Sequence, residues 1–195
     1  RVLFIVHSLG GGTQRHTKEL AEYFLGKLTT LQLMPLENHH LQLEWLAPGE
    51  SMQWIFHWPT QSARLLELLR TLRIERVHFH HILGLDPEIM CLPNHLGVPY
   101  DFTAHDYYTA CPQIALVTSA KTYCQERGTE QCNGCLQERP APTGEGIMDW
   151  RLRHACFLQG ADNVLAPSRD AARRLARYFP TAKVRFAPHL DISDA

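Results

Sequence analysis

Apolar residues along the chain follow two periods, and the change from one to the other marks out the elements. The unbroken run Val2 to Val6 predicts a strand buried on both faces, and hence a sheet with parallel neighbours. Gly10-Gly11-Gly12 then turns the chain into a predicted helix with Thr13 as its cap and Leu20, Ala21, Phe24 and Leu25 on one side. Lys27 to Pro35 and Leu41 to Leu46 read as strands joined by Glu37-Asn38-His39-His40, with Gln53 to Trp58 a further short apolar piece. Between Gln61 and Leu72 the leucines at 65, 66, 68, 69 and 72 recur with helical spacing. Arg76 to His81 alternates instead, with Val77 and Phe79 on one face and His78 and His80 on the other. Asp86 to His95 predicts a helix with Pro87 in its first turn and Gly97 ending it, and Val98 to His105 returns as a strand.

This alternation predicts an α/β fold: a Rossmann-like, doubly wound, mainly parallel sheet with helices on both faces. It lapses between Asp106 and Gly146 into a Cys-, Pro- and Gly-rich stretch too long for a simple connection, read as a Cys-rich insertion that is functional or metal-stapled. Helix, strand, helix and strand then follow at Ile147 to Gln159, Asn163 to Ala166, Ser168 to Tyr178 and Val184 to Ala187. The expected organisation is one domain over residues 1–188, with the insertion at about 106–146 and a linker beginning at 189–195. The missing initiator Met and the abrupt end predict a piece of a longer chain.

Composition narrows the function mainly by exclusion. A net charge of −1 over 195 residues leaves no nucleic-acid footprint, and no apolar run is long enough to cross a bilayer, so a cytoplasmic protein is expected. Twelve histidines and six unevenly placed cysteines direct attention to specific sites.

The glycine turn brings unpaired N–H groups and the positive end of a helix dipole to the carboxyl edge of the sheet, where open α/β sheets bind ligands. It lacks the third glycine of a dinucleotide fingerprint and the Gly-Lys-Ser/Thr of a phosphate-cradling loop, so neither is supported. His105 falls at the end of a predicted strand and would project to the same edge, with Asp106 beside it to orient the ring or cap the next segment. His78 and His80 form a His-x-His that metal sites use, and with His105 and Asp106 they raise the alternative of a zinc-dependent hydrolase. Cys132-Asn133-Gly134-Cys135 has zinc-knuckle spacing, and Cys111 and Cys124 complete four ligands for a structural zinc, free thiols and disulfides being the other readings. Cys91 and Cys156 read as small buried residues. Arg169, Arg173, Arg174 and Arg177 read as a solvated helix face, with contact to anionic lipid or another domain as the sharper alternative.

Four of these segments, taken in order, resemble group 1 glycosyltransferases: the glycine turn, Val77-His78-Phe79-His80-His81, Thr103-Ala104-His105-Asp106-Tyr107 with Cys111-Pro112, and Val164-Leu165-Ala166-Pro167-Ser168. The resemblance spans Val2 to Pro188 and implies the N-terminal, acceptor-binding half of a retaining GT-B enzyme. It implies a nucleotide-diphosphate-sugar donor, a glycan or lipid-linked acceptor, and a C-terminal GT-B domain that carries most of the nucleotide-binding groups. Gly11 and Gly12 would match the turn that approaches the donor diphosphate, and Ser168 a helix-capping serine near the cleft. His105 would match the histidine that contacts the donor sugar. His80, His81, Asp106 and Tyr107 would then fall on the acceptor side. No catalytic metal is expected, the isolated domain should be inactive, and lipid-linked acceptors leave room for peripheral membrane contact at the inner face. A non-catalytic binding domain is the third reading.

Overall fold

The computed structural model describes residues 1–46 and 52–189, which form two compact units. The first runs over Arg1–Thr103 and takes in Pro188 and His189; the second is Ala104–Ala187. The expected linker beyond His189 lies outside the described residues.

The first unit is built around β1 (Val2–Ile5). Leu3, Phe4, Ile5 and Val6 are all buried, as the unbroken apolar run predicts. A strand with no access to water must have its backbone satisfied by neighbours on both sides. β2 (Thr30–Pro35) pairs with it in parallel on one side and β5 (Arg76–Phe79) on the other, and β6 (Tyr100–Thr103) adds in parallel to β5. Beyond β2 the direction reverses. β3 (His40–Trp45) and β4 (Gln53–His57) complete an antiparallel meander, and the tight turn into β3 holds Asn38 and His39 at positive φ. The connection between β3 and β4 is too short to carry a crossover helix, which is why these strands are antiparallel. The helices of this unit are α1 (Gly11–Tyr23), α2 (Ser62–Thr71) and α3 (Leu92–Leu96).

The second unit holds α4 (Thr129–Glu138), α5 (Ile147–Gly160), β7 (Asn163–Ala166), α6 (Arg169–Tyr178) and β8 (Val184–Phe186), with β7 and β8 parallel. The protein is α/β and Rossmann-like with mainly parallel strand pairing, as the periodicity predicts. Among the described residues no helix is long and apolar enough to cross a membrane.

Several local expectations are corrected. Thr13 does not cap α1: Gly10 holds the N-cap position at φ 75°, and Thr13 is buried in the first turn. The face α1 buries is Thr13, Thr17 and Ala21, while Leu25 is 53% exposed. Small residues let the helix approach closely, and the Thr17 hydroxyl bonds both the Gln14 carbonyl and the buried Gln32 Oε1 at 3.2 Å. The helix expected over Asp86 to His95 is a 3-10 turn, Pro87–Cys91, followed by α3. Pro93 has no N–H to offer a continuous α-helix, whereas Asp86 does cap the start by accepting from Glu88 N, and Gly97 ends it at φ 70°. Cys91 and Cys156 are exposed, not buried. The insertion contains α4, whose Cys, Asn and Gly content hid it from periodicity.

Thr17→Val should cost about 1–3 kcal/mol in urea unfolding, because it strands the buried Gln32 amide oxygen. Leu25→Ala should stay within about 0.5 kcal/mol. The reverse order would restore the helix face expected from sequence.

Candidate functional site

β1 ends at the carboxyl edge of the first unit's sheet and passes into the glycine turn. Gly10 and Gly11 both sit in the left-handed region, at φ 75° and 74°, where a side chain would be strained. Gly12 does not, and a Cβ placed on it meets nothing within 4 Å. No side chain caps α1 and no acidic residue lies in its first turn. Gly11 and Gly12 are exposed, so the positive end of the helix dipole is not covered by a side-chain cap there. Gln14 Nε2 donates to the His7 carbonyl at 3.3 Å and ties the turn to the chain leaving β1.

Histidines crowd the same edge. His80 N and His81 N both donate to the Ile5 carbonyl, so β5 delivers these two residues beside the end of β1. His78 and His80 share a face, their rings stacked at 4.2 Å, and Phe4 meets the His80 ring edge-on at 4.8 Å. His80 and His81 are both buried. His81 Nδ1 accepts from Leu83 N at 3.0 Å, and His7 Nδ1 accepts from Leu9 N at 3.2 Å. Those acceptor roles put the ring proton on Nε2 in both. The two rings meet edge-to-face at 4.7 Å. His16, one turn along α1 from Gly12, lies 5.6 Å from the His80 ring and 4.2 Å from that of His189. Burial lowers the His16 pKa, and His189 adds to the effect against Glu19. His78 is pushed down to about 4, chiefly by burial, with Asp101 opposing, and its Nε2 is hydrogen-bonded to Thr103 Oγ1 at 2.8 Å.

His105 follows β6 by two residues and is half-buried at the start of the second unit. Asp106 accepts from Tyr108 N at 2.8 Å, so its carboxylate caps the next turn, one of the two roles expected of it. The turn is then held from α5. Trp150 Nε1 donates to the Tyr108 carbonyl at 2.9 Å, and Arg151 Nε donates to the Ala110 carbonyl at 3.0 Å. Tyr107, half-buried, donates its N–H to the Ile114 carbonyl. Ser168 caps α6 by accepting from Ala171 N at 3.0 Å.

With this geometry in hand, comparison with known families is decisive: the model described as Glycosyltransferase Family 4 matches residues 10–189. The chain belongs to that family. No curated protein matches it. As a glycosyltransferase domain it serves the binding of a sugar donor and an acceptor in general, which displaces the hydrolase reading. That reading also needed His78 as a ligand, and Thr103 engages its Nε2.

Several contributors were missed from the sequence. The helix face is solvated at Arg173 and Arg177, whose side chains are 79% and 62% exposed, but Arg174 and Arg177 also bind Glu126, whose side chain is only 5% exposed, and Tyr123 donates to the same carboxylate. Burial alone would raise the Glu126 pKa, but hydrogen bonds from Tyr123, Tyr178 and Arg177 and the charge of Arg174 outweigh it and hold the carboxyl below its ordinary value. A lone glutamate in an irregular stretch 48 residues from its partner gives no sequence signal. Asn133, inside the Cys-x-x-Cys, accepts from Ile147 N at 3.0 Å and so caps α5 from outside. The one signal for His16 in the sequence is its place one helical turn after the glycines.

His78 and His154 are each held near pH 4 mainly by burial, below the ordinary 6.5. Between these values the unfolded chain binds protons that the folded rings refuse. Stability should therefore fall as pH drops from about 6.5 toward 4, by about 1.4 kcal/mol per pH unit for each ring. Urea unfolding across that range checks this, and a flat profile would contradict it.

Proposed function

We propose that this domain is the N-terminal half of a retaining GT-B enzyme that moves a hexose-type sugar from a nucleotide-diphosphate donor to a glycan or lipid-linked acceptor. The observation that carries the reading is the glycine-opened, uncapped start of α1 at the carboxyl end of β1. In this reading the N–H groups of Gly11 and Gly12 meet the donor diphosphate and Ser168 lies on the donor side. His105 contacts the donor sugar, and His80, His81, Asp106 and Tyr107 serve the acceptor side.

Breaking a sugar–phosphate bond puts negative charge on the diphosphate and positive charge on the sugar ring. The helix start favours the first and the imidazole of His105 can support the second. A helix terminus contributes about 0.3–2 kcal/mol, against the 8–23 kcal/mol or so by which enzymes lower barriers. The larger share falls to a C-terminal domain, and the isolated domain is inactive. No catalytic metal takes part. A lipid-linked acceptor would bring the protein to the inner face of the membrane as a peripheral, cytoplasmic enzyme.

Gly12 separates function from fold, because its backbone needs no glycine and space for a methyl group is open. In the full-length protein Gly12→Ala should raise stability by about 0.5–1 kcal/mol, since alanine is the better helix former. It should also cut transfer from sugar nucleotides at least about 10-fold by crowding the diphosphate. Undiminished transfer would remove the glycine turn from the donor site. His105→Ala should lower kcat about 100-fold or more, and NMR of the product should show a retained anomeric configuration. No turnover with any UDP-, GDP- or ADP-sugar would contradict the reading as a whole.

A further inference from the structure

The cysteine quartet is the feature the glycosyltransferase reading does not use. Cys111, Cys124, Cys132 and Cys135 all carry free thiols and all line one cavity of about 320 Å³ in the second unit. They reach it from three directions. Cys132 and Cys135 stand at i and i+3 on α4 and so share a helix face. Cys111 closes the turn after Asp106, its N–H bonded to the Tyr107 carbonyl. Cys124 leaves the short bridge between Val117 and Tyr123, its N–H bonded to the Leu116 carbonyl.

The rest of the lining leaves the four thiols as its acidic, metal-binding groups of highest affinity for a soft cation. The cavity walls hold no aspartate, glutamate or histidine, so sulfur is the ligand on offer, which selects a soft or borderline cation over calcium or magnesium. Two arginines already address the sulfurs: Arg139 Nη2 lies 3.3 Å from Cys135 Sγ, and Arg151 Nη2 lies 3.5 Å from Cys132 Sγ. A divalent ion on four thiolates carries a net charge of −2, and N–H donors of this kind are what such a site requires in its surroundings. Both arginines are braced by backbone carbonyls, Arg139 on Val117 and Arg151 on Ala110.

Local turns and a few side-chain bonds hold the backbone of this stretch, with little regular structure. Between Pro112 and Glu126 the only regular pairing among the described residues is that single bridge. Ile114, Leu116, Lys121, Gln125 and Glu126 nevertheless hold positive φ, a conformation that side chains rarely adopt and that a surrounding constraint must enforce.

We propose that Cys111, Cys124, Cys132 and Cys135 bind one zinc ion as four thiolates and so staple residues 107–139 into a fixed lobe. A tetrahedral site sets its sulfurs roughly 3.8 Å apart, inside the cavity that the four thiols line. Through Asn133 the same staple fixes the start of α5, and through Cys111 it fixes the turn that follows His105-Asp106-Tyr107.

The test uses this chain purified without a polyhistidine tag. Elemental analysis after gel filtration should find stoichiometric zinc, released when a mercurial blocks the thiols. Exchange with Co2+ should give thiolate-to-cobalt charge transfer and the visible bands of a tetrahedral centre. Cys132→Ser and Cys124→Ser should each lose zinc about 10-fold or more, while Cys156→Ser, at an exposed position, keeps it. Should the serine variants fail to fold, the cobalt spectrum of the unaltered chain still decides. A folded, zinc-free chain whose four thiols all titrate as free, zinc retained in the serine variants, a cobalt spectrum without sulfur ligation, or iron in place of zinc would each overturn the proposal.

Discussion

The first unit is governed by the need to satisfy a backbone that has no water. Leu3 to Val6 are shut away on both faces, so every N–H and C=O of β1 must find a partner in β2 or β5. Parallel neighbours on both sides bring the carboxyl ends of β1, β2, β5 and β6 to one edge. The Ile5 carbonyl, the last of β1, accepts from both His80 N and His81 N, so the histidines are delivered to that edge by the same hydrogen bonds that finish the strand. The chain leaving β1 must then turn sharply, and Gly10 and Gly11 permit it at positive φ. A helix begun this way has no side-chain cap, which leaves the positive end of its dipole at that edge.

The second unit is held by a different kind of interaction. Beside an apolar core that includes Trp150, Leu158, Leu175 and Phe179, its irregular stretch is held by polar ties. Trp150 and Arg151 on α5 grip the turn after Asp106, and Asn133 caps α5 in return. Glu126 anchors its loop to α6 through Arg174 and Arg177. Removing either arginine would leave the Glu126 carboxylate with part of its charge uncompensated. The four cysteines face a cavity inside this frame. The structural consequence is a lobe specified by individual contacts more than by the burial of long apolar faces.

This difference explains what could be read from the sequence. Periodicity found the strands and helices of the first unit because their burial is periodic: Val77 and Phe79 are buried on one face, with the His78 and His80 rings stacked on the other. Capping chemistry found Asp86 and Ser168, since each acts on its own helix. It failed for Thr13, because a glycine at φ 75° outcompeted a threonine that the sheet needed as a small buried contact. The α1 face was misread for the same reason: Thr17 is buried for its hydrogen bond to Gln32, a reason that hydrophobicity does not register. Contacts between distant positions left no trace at all, as with Glu126 and Arg174 or Asn133 and Ile147. Family membership over residues 10–189 came from the whole pattern, which no single motif carried.

The central claim is that the open start of α1 receives the diphosphate of a sugar nucleotide. Backbone amide resonances of the 15N-labelled chain, followed while a nucleoside diphosphate is titrated in, address that claim at the atoms concerned. The account predicts the largest shifts at Gly11, Gly12 and Thr13, with smaller ones at His80 and His81. Shifts confined to the arginines of α6, or none at the glycine turn at saturating ligand, would contradict it.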